Sequence, residues 1–275
     1  MTIVASMCTK NGIFMISDSL ICIQDENGNS SARANKEKSF ILKNSKVGIS
    51  FWGTVDNNRG FNLHDEMPKI KERLEMYNSP EQVAAELTRI LQEDYDFGQD
   101  DVMGFHVAGY DNKKSIEVWH VFHESFLEKK KFIKENCLYQ HHQGMPPGQL
   151  GYYSISRFLP YPILFNGDTK LFNLIINGLR TFGDFVPYQD FNNSQSRDFL
   201  IFLMDTAINL QSYAMGYVRG HLIKYPLMFL EIIPDGVPQV TFLCSADCIS
   251  NCHDHKSLDE ADLRPGKTNS AQKVT

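Results

Sequence analysis

Residues 2–18 narrow what this chain can fold into more than any other stretch. Two short apolar runs, Ile3-Val-Ala-Ser-Met-Cys8 and Ile13-Phe-Met-Ile-Ser17, flank a tight polar turn. Asn11-Gly12 is a hairpin signal, because Gly tolerates positive φ without steric cost and Asn nearly so. The register decides which side chains meet. A two-residue Asn-Gly turn would set Asp18 opposite Ala5, on the face away from Thr2. A three-residue loop, Lys10-Asn11-Gly12 with Gly12 left-handed, pairs Thr9 with Ile13 and Asp18 with Val4. Side chains alternate with period two, so that loop puts Asp18 on the face of Thr2. The three-residue loop is the expectation. Removing Met1 would leave a hydroxyl and a free α-amine on one residue, Thr2. An α-amine has a reference pKa of about 7.7–8.0, close to what a general base needs at neutral pH. One residue then supplies nucleophile and base together.

Downstream, Ile21 to Asn35 reads as a long polar loop around Gln24-Asp-Glu-Asn-Gly-Asn-Ser-Ser31. Lys36-Glu-Lys38-Ser-Phe-Ile-Leu42 enters a strand, Asn44-Ser45 turns, and Val47-Gly-Ile-Ser-Phe-Trp-Gly53 follows. Arg59 to Tyr77 carries Phe61, Leu63, Met67, Ile70 and Leu74 at helical spacing. Ser79-Pro80-Glu-Gln82 then opens a second helix, with Ser79 as N-cap, Pro80 at N1 and Gln82 at the capping-box position. Met103 to Asp111 and Ile116 to Phe122 read as a hairpin around Gly109-Tyr-Asp111.

In their order and spacing, Thr2-Ile-Val-Ala, Gly12-Ile-Phe-Met-Ile-Ser-Asp18-Ser19, Lys38, Gly53 and Gly109-Tyr-Asp111 resemble proteasome β-type subunits and the HslV-like peptidases. The resemblance implies an N-terminal nucleophile hydrolase fold, an α+β four-layer αββα sandwich of two mostly antiparallel sheets between helix layers. It implies Thr2 as nucleophile and Lys38 beside its hydroxyl, where an ammonium favours the alkoxide. Asp18 would hold that ammonium, and the Gly53 N–H would stabilise an oxyanion, an effect worth roughly 3–4 kcal/mol. Lys36 competes with Lys38, because the polar loop leaves the alignment uncertain by two residues, and Ser19 follows Asp18 as a site neighbour. Asn166 stands where the family places a helping Ser in Asn166-Gly-Asp168. Asn166 and Asp168 also suit a plain capping role for the helix after them. The family's later Asp and Ser have no clean counterpart in Gly216-Tyr-Val-Arg-Gly-His-Leu. The resemblance further implies a homo-oligomer, ring or stacked ring, and leaves a partner ATPase unspecified.

The remaining features bound this reading. The chain has 275 residues and a net charge of −6, which points away from nucleic acid and membrane surfaces. No apolar run reaches a membrane span, no export signal opens the chain, and the six cysteines are unframed, so reduced thiols in the cytoplasm are expected. A single domain is expected over residues 1–256, with an insertion at about 124–162 and a polar tail over 257–275. Ser196 to Tyr213 reads as a helix, and Tyr225–Ile233 with Val237–Leu243 as a last hairpin. No Gly-rich phosphate loop appears, and no cofactor is expected. Cys244, Cys248, Cys252, His253 and His255 are dense enough for zinc, but their spacing is not that of a C-x2-C knuckle. The expected activity is cleavage of a peptide or small amide through an acyl-enzyme. The alternatives are an inactive assembly or binding subunit and a non-proteolytic small-amide hydrolase.

Overall fold

The N-terminal apolar runs pair as β1 (Ile3–Thr9) and β2 (Gly12–Asp18), every residue of both strands buried. A computed structural model describes residues 3–24, 30–53, 56–57, 61–95, 103–123, 150–156, 161–167, 175, 187–214 and 226–243. All of them fall in one compact unit, Met1–Leu243. After β2 come β3 (Leu20–Gln24), β4 (Ser30–Asn35), β5 (Ser39–Leu42) and β6 (Val47–Gly53). Next are the two-residue strands β7 (Asp56–Asn57) and β8 (Phe61–Asn62), then helices α1 (Leu63–Leu74) and α2 (Pro80–Glu93). The chain continues through β9 (Met103–Tyr110), β10 (Ile116–His123), β11 (Leu150–Ser154) and β12 (Ile163–Gly167). Helix α3 (Asn193–Ala214) and the strands β13 (Leu227–Ile232) and β14 (Gln239–Leu243) complete it.

Ten of the described strands make two five-stranded antiparallel sheets, ordered β12-β1-β2-β13-β14 and β11-β10-β9-β6-β5, while β3 with β4 and β7 with β8 form two-stranded pairs. The architecture is therefore mixed α/β, built on two antiparallel sheets with few helices. Period-two alternation divides each sheet between two apolar cores. Ile3, Ala5, Met7, Phe14 and Ile16 pack with Leu200, Leu203, Met204 and Ala207 of α3. Ile49, Phe51, Phe105, Val107 and Val121 pack with Ile70 and Leu74 of α1 and Val83, Leu87 and Ile90 of α2. The opposite faces of the sheets meet through Cys8, Ile13, Met15, Leu164, Leu230 and Ile232 on one side and Ile41, Ala108 and Val118 on the other. Burying each such large side chain fully contributes about 1.5–3 kcal/mol.

Several boundaries differ from the sequence reading. The first hairpin turns over Lys10-Asn11 alone, pairing Thr9 with Gly12 and Val4 with Ser17, so Ser17 and not Asp18 stands opposite Val4, and the expected register that set Asp18 on the Thr2 face does not form. Gly12 is thus a strand residue and takes no positive φ. A Cβ there would meet Phe14 Cζ at 3.0 Å and the Ile232 carbonyl at 3.2 Å, contacts tight enough that these neighbours would have to give by a few tenths of an ångström. The Thr9 hydroxyl closes the turn by accepting from the Asn11 N–H at 3.1 Å. The polar loop expected over Ile21–Asn35 contains a hairpin of its own, β3 paired with β4 through a bulge. Helix α1 begins at Leu63 because Asn62 caps it, accepting from the His64 N–H at 3.0 Å, and Phe61 lies in β8. Within the expected insertion, Leu150–Ser154 adds to β10 as a sheet edge. Helix α3 starts three residues early, at a reciprocal pair in which Asn192 Oδ1 accepts from the Gln195 N–H and Gln195 Oε1 from the Asn192 N–H. Among the described residues no helix is long and apolar enough to cross a membrane.

Candidate active site

The C-terminal end of β2 meets the chain just before β5. Asp18 and Lys38 are both fully buried there, with Lys38 Nζ 3.1 Å from Asp18 Oδ1 and 3.0 Å from Oδ2. Asp18 Oδ1 also accepts from the backbone N–H of Ile3 at 2.9 Å. That amide is the peptide link between Ile3 and Thr2. Taking two charges out of water is expensive, and only such close multiple bonding offsets it. Burial holds the Asp18 carboxyl above its ordinary value, against the pull of the Lys38 ammonium and the Ile3 N–H.

Lys38 is anchored by its own backbone, its carbonyl accepting from the Phe51 N–H at 2.9 Å, two residues before Gly53 in β6. Gly53 has φ 97°, a left-handed conformation that only glycine adopts cheaply, opposite Met103 at the strand end. Lys36 does not join the pair: it is exposed, and its backbone N–H donates to the Ser19 carbonyl at 2.8 Å. Ser19 is buried, and its hydroxyl has no hydrogen-bond partner among the described residues. Thr2 and Asp168 lie outside the described residues, as do Cys244, Cys248, Cys252, His253 and His255. Among the described residues no cluster of three or more His, Cys, Asp or Glu could hold a metal.

Asn166 is engaged by a buried histidine. Its Oδ1 lies 2.8 Å from His106 Nε2, while His106 Nδ1 lies 2.9 Å from the Ser6 hydroxyl. A carboxamide oxygen only accepts, so Nε2 carries the proton and Nδ1 accepts from Ser6. Full burial pushes His106 down to about 4, so the ring is neutral. Beside it, Trp52 Nε1 donates to His120 Nε2 at 3.2 Å, and His120 is buried. Ser17, Ser39 and Ser50 form a second buried chain, with 2.8 Å between the first two hydroxyls and 2.7 Å between the last two. His64 packs its ring edge against Phe51 at 5.5 Å, and burial with help from Lys36 and Lys38 pushes it down to about 4. Reading the sequence for chemistry alone misses Ser6, Ser17, Ser39, Ser50, His64 and His106. A findable signal exists for most of them: each serine, and His106, interrupts an otherwise apolar strand.

Among solved structures the chain is similar to an Anbu (Gly-1) mutant from Hyphomicrobium sp. strain MC1, with TM-score 0.58 and 12% identity, covering 90% of this chain and 89% of that one. An Anbu described as an ancestral beta-subunit, from Yersinia bercovieri, matches at TM-score 0.49 and 12% identity over 89% and 87% of the two chains, too loosely to argue from. No protein-family model matches the chain. No curated protein matches it either. These findings correct the resemblance to proteasome β-type and HslV-like peptidases. At 12% identity the likeness reaches the fold and not membership of that family. Asp is a common turn residue because its carboxylate bonds backbone N–H groups two or more residues on. Here Asp111 Oδ1 simply accepts from the N–H groups of Lys113 and Ser115.

Proposed function

We propose that this chain is an amide hydrolase whose nucleophile is Thr2 after removal of Met1. The observation that carries the reading is the buried Asp18–Lys38 pair, bonded through Asp18 Oδ1 to the amide that follows Thr2. The distant likeness to Anbu supports it at the level of fold. The Thr2 hydroxyl attacks the substrate carbonyl and passes its proton to the Thr2 amine, with the Lys38 ammonium favouring the developing alkoxide. The Gly53 N–H receives the oxyanion. The tetrahedral adduct collapses to an ester, and the protonated amine returns the proton to the departing amine. Water, activated by the same amine, then hydrolyses the ester. The substrate is a peptide or a small amide. We read the architecture as a four-layer αββα stack, because α1 with α2 and α3 share apolar cores with different sheets.

A second reading, a binding subunit without catalysis, is favoured by Asn166, whose carboxamide oxygen is engaged by His106. One experiment separates the two. Intact mass reports whether Met1 is removed, and a panel of acyl-peptide and simple acyl amides is assayed with wild type and Thr2→Ala. The hydrolase reading expects loss of Met1 and turnover that Thr2→Ala abolishes. Retained Met1, or turnover unchanged in Thr2→Ala, overturns it.

A further inference from the structure

The two sheets meet mainly through apolar side chains, whose attraction is non-directional. One row differs. Across the second sheet, Ser39, Ser50, His106 and His120 stand directly opposite one another on neighbouring strands, so they share a face. Across the first sheet, Met228, Ser17, Val4 and Asn166 form the facing row. Hydrogen bonds join the rows at two places, Ser17 to Ser39 and Asn166 to His106, and Ser6 adds a third bond to His106. The row lies one residue inward from Asp18 along β2, and Ser39 is the residue after Lys38.

We infer that the Ser17–Ser39–Ser50 hydroxyl chain is a positioning device for the Lys38 ammonium. Consecutive residues of β2 engage consecutive residues where the chain enters β5: Asp18 takes Lys38, the residue before the strand, and Ser17 takes Ser39, its first. β5 is held within its own sheet by its pairing with β6, and the Ser17–Ser39 bond ties its first residue to the other sheet, fixing the backbone from which Lys38 projects relative to Asp18. Ser50 fixes Ser39 from the other side, within its own sheet. Apolar residues at these three buried positions would pack without the cost of burying hydroxyls, so their value is directional. The backbone bond from the Phe51 N–H to the Lys38 carbonyl acts within the second sheet, whereas the Ser17–Ser39 bond acts between the sheets, where Asp18 and Lys38 meet. The inference rests on the proposed hydrolase reading only for its catalytic consequence.

The test is amine acetylation of the full chain under native conditions, read by mass spectrometry, with exposed Lys36 as the internal reference. Buried Lys38 is protected in the wild type. In Ser39→Ala its labelling rises about tenfold relative to Lys36, the population change expected for loss of a buried hydrogen bond. Ser39→Thr retains the hydroxyl and restores protection. Ser50→Ala keeps the Ser17–Ser39 bond and gives a smaller rise, which preserves the test if Ser39→Ala folds poorly. Ile41→Val, in the same strand and without a hydroxyl, lowers stability but leaves Lys38 protected. Protection unchanged in Ser39→Ala and Ser50→Ala, or lost equally in Ile41→Val, overturns the inference. If the enzyme cuts amides, Ser39→Ala lowers kcat with KM unchanged. If wild type cuts nothing while the labelling follows the expected order, the hydrolase reading falls and the positioning role stands.

Discussion

At the residue scale the molecule turns on one ion pair. An Asp and a Lys with no exposure between them are stable only while both are present, because either one alone is an uncompensated buried charge. Lys38→Met is therefore expected to cost about 3–5 kcal/mol, read as a lower urea midpoint at unchanged m-value. Lys36→Met, two residues away and exposed, is expected to change stability by no more than about 0.5 kcal/mol. Adding Asp18→Asn to Lys38→Met recovers part of the loss, since no bare charge then remains. Equal midpoints for the two single lysine variants would mean that the pair contributes nothing. Both lysines sit in one Lys-x-Lys motif, and sequence spacing alone leaves them equivalent. Only the way the chain enters β5 separates them, turning Lys38 inward and Lys36 to solvent.

At the element scale, local chemistry is legible where a bond closes within a few residues. Ser79 caps α2 as its sequence promises, its hydroxyl accepting from the Gln82 N–H at 3.3 Å, with Pro80 at the first turn. Gln82 reaches one residue further back than a capping box requires, its Oε1 accepting from the Asn78 N–H at 3.2 Å. Ser79→Ala should lower stability by about 1 kcal/mol, seen as a few degrees in Tm by circular dichroism. Ser79→Asp, which also caps, should restore it. The first hairpin shows where local reading ends. Asn11-Gly12 argues for a left-handed glycine, yet Gly12 lies in β2, with β13 and Phe14 close about its α-carbon. Pairing with a strand more than two hundred residues downstream is beyond what a local turn signal reports. The bulged β3–β4 hairpin is hidden for a related reason: its composition is polar and turn-like, and what makes it strand is pairing rather than alternation.

At the scale of the whole molecule, pH reports on the interior between the sheets. His106 is neutral when folded, with its pKa pushed down to about 4 from 6.5 by burial. Above pH 6.5 folded and unfolded chains both hold it neutral, so it adds no pH dependence there. Between pH 6.5 and 4 the unfolded chain binds a proton that the folded chain refuses, and stability falls as pH drops. The full difference is about 3 kcal/mol at 1.36 kcal/mol per unit. Urea unfolding at pH 7 and pH 4.5 should show this loss, and His106→Gln should reduce it. An identical loss in the variant would place the acid sensitivity elsewhere. Partly buried His64 titrates in the same direction. By itself the sequence determined most strand and helix positions, which follow from periodicity, caps and turn residues acting over a handful of positions. The two-sheet arrangement and the meeting of Asp18 with a lysine near residue 38 were only what the resemblance implied, not what local pattern encodes. The tertiary structure alone decided the hairpin register, which lysine is buried, that Asn166 serves His106, and that serines scattered over three strands make one hydroxyl chain. Each depends on residues far apart in the chain meeting across or within the sheets, and no local pattern encodes such a meeting.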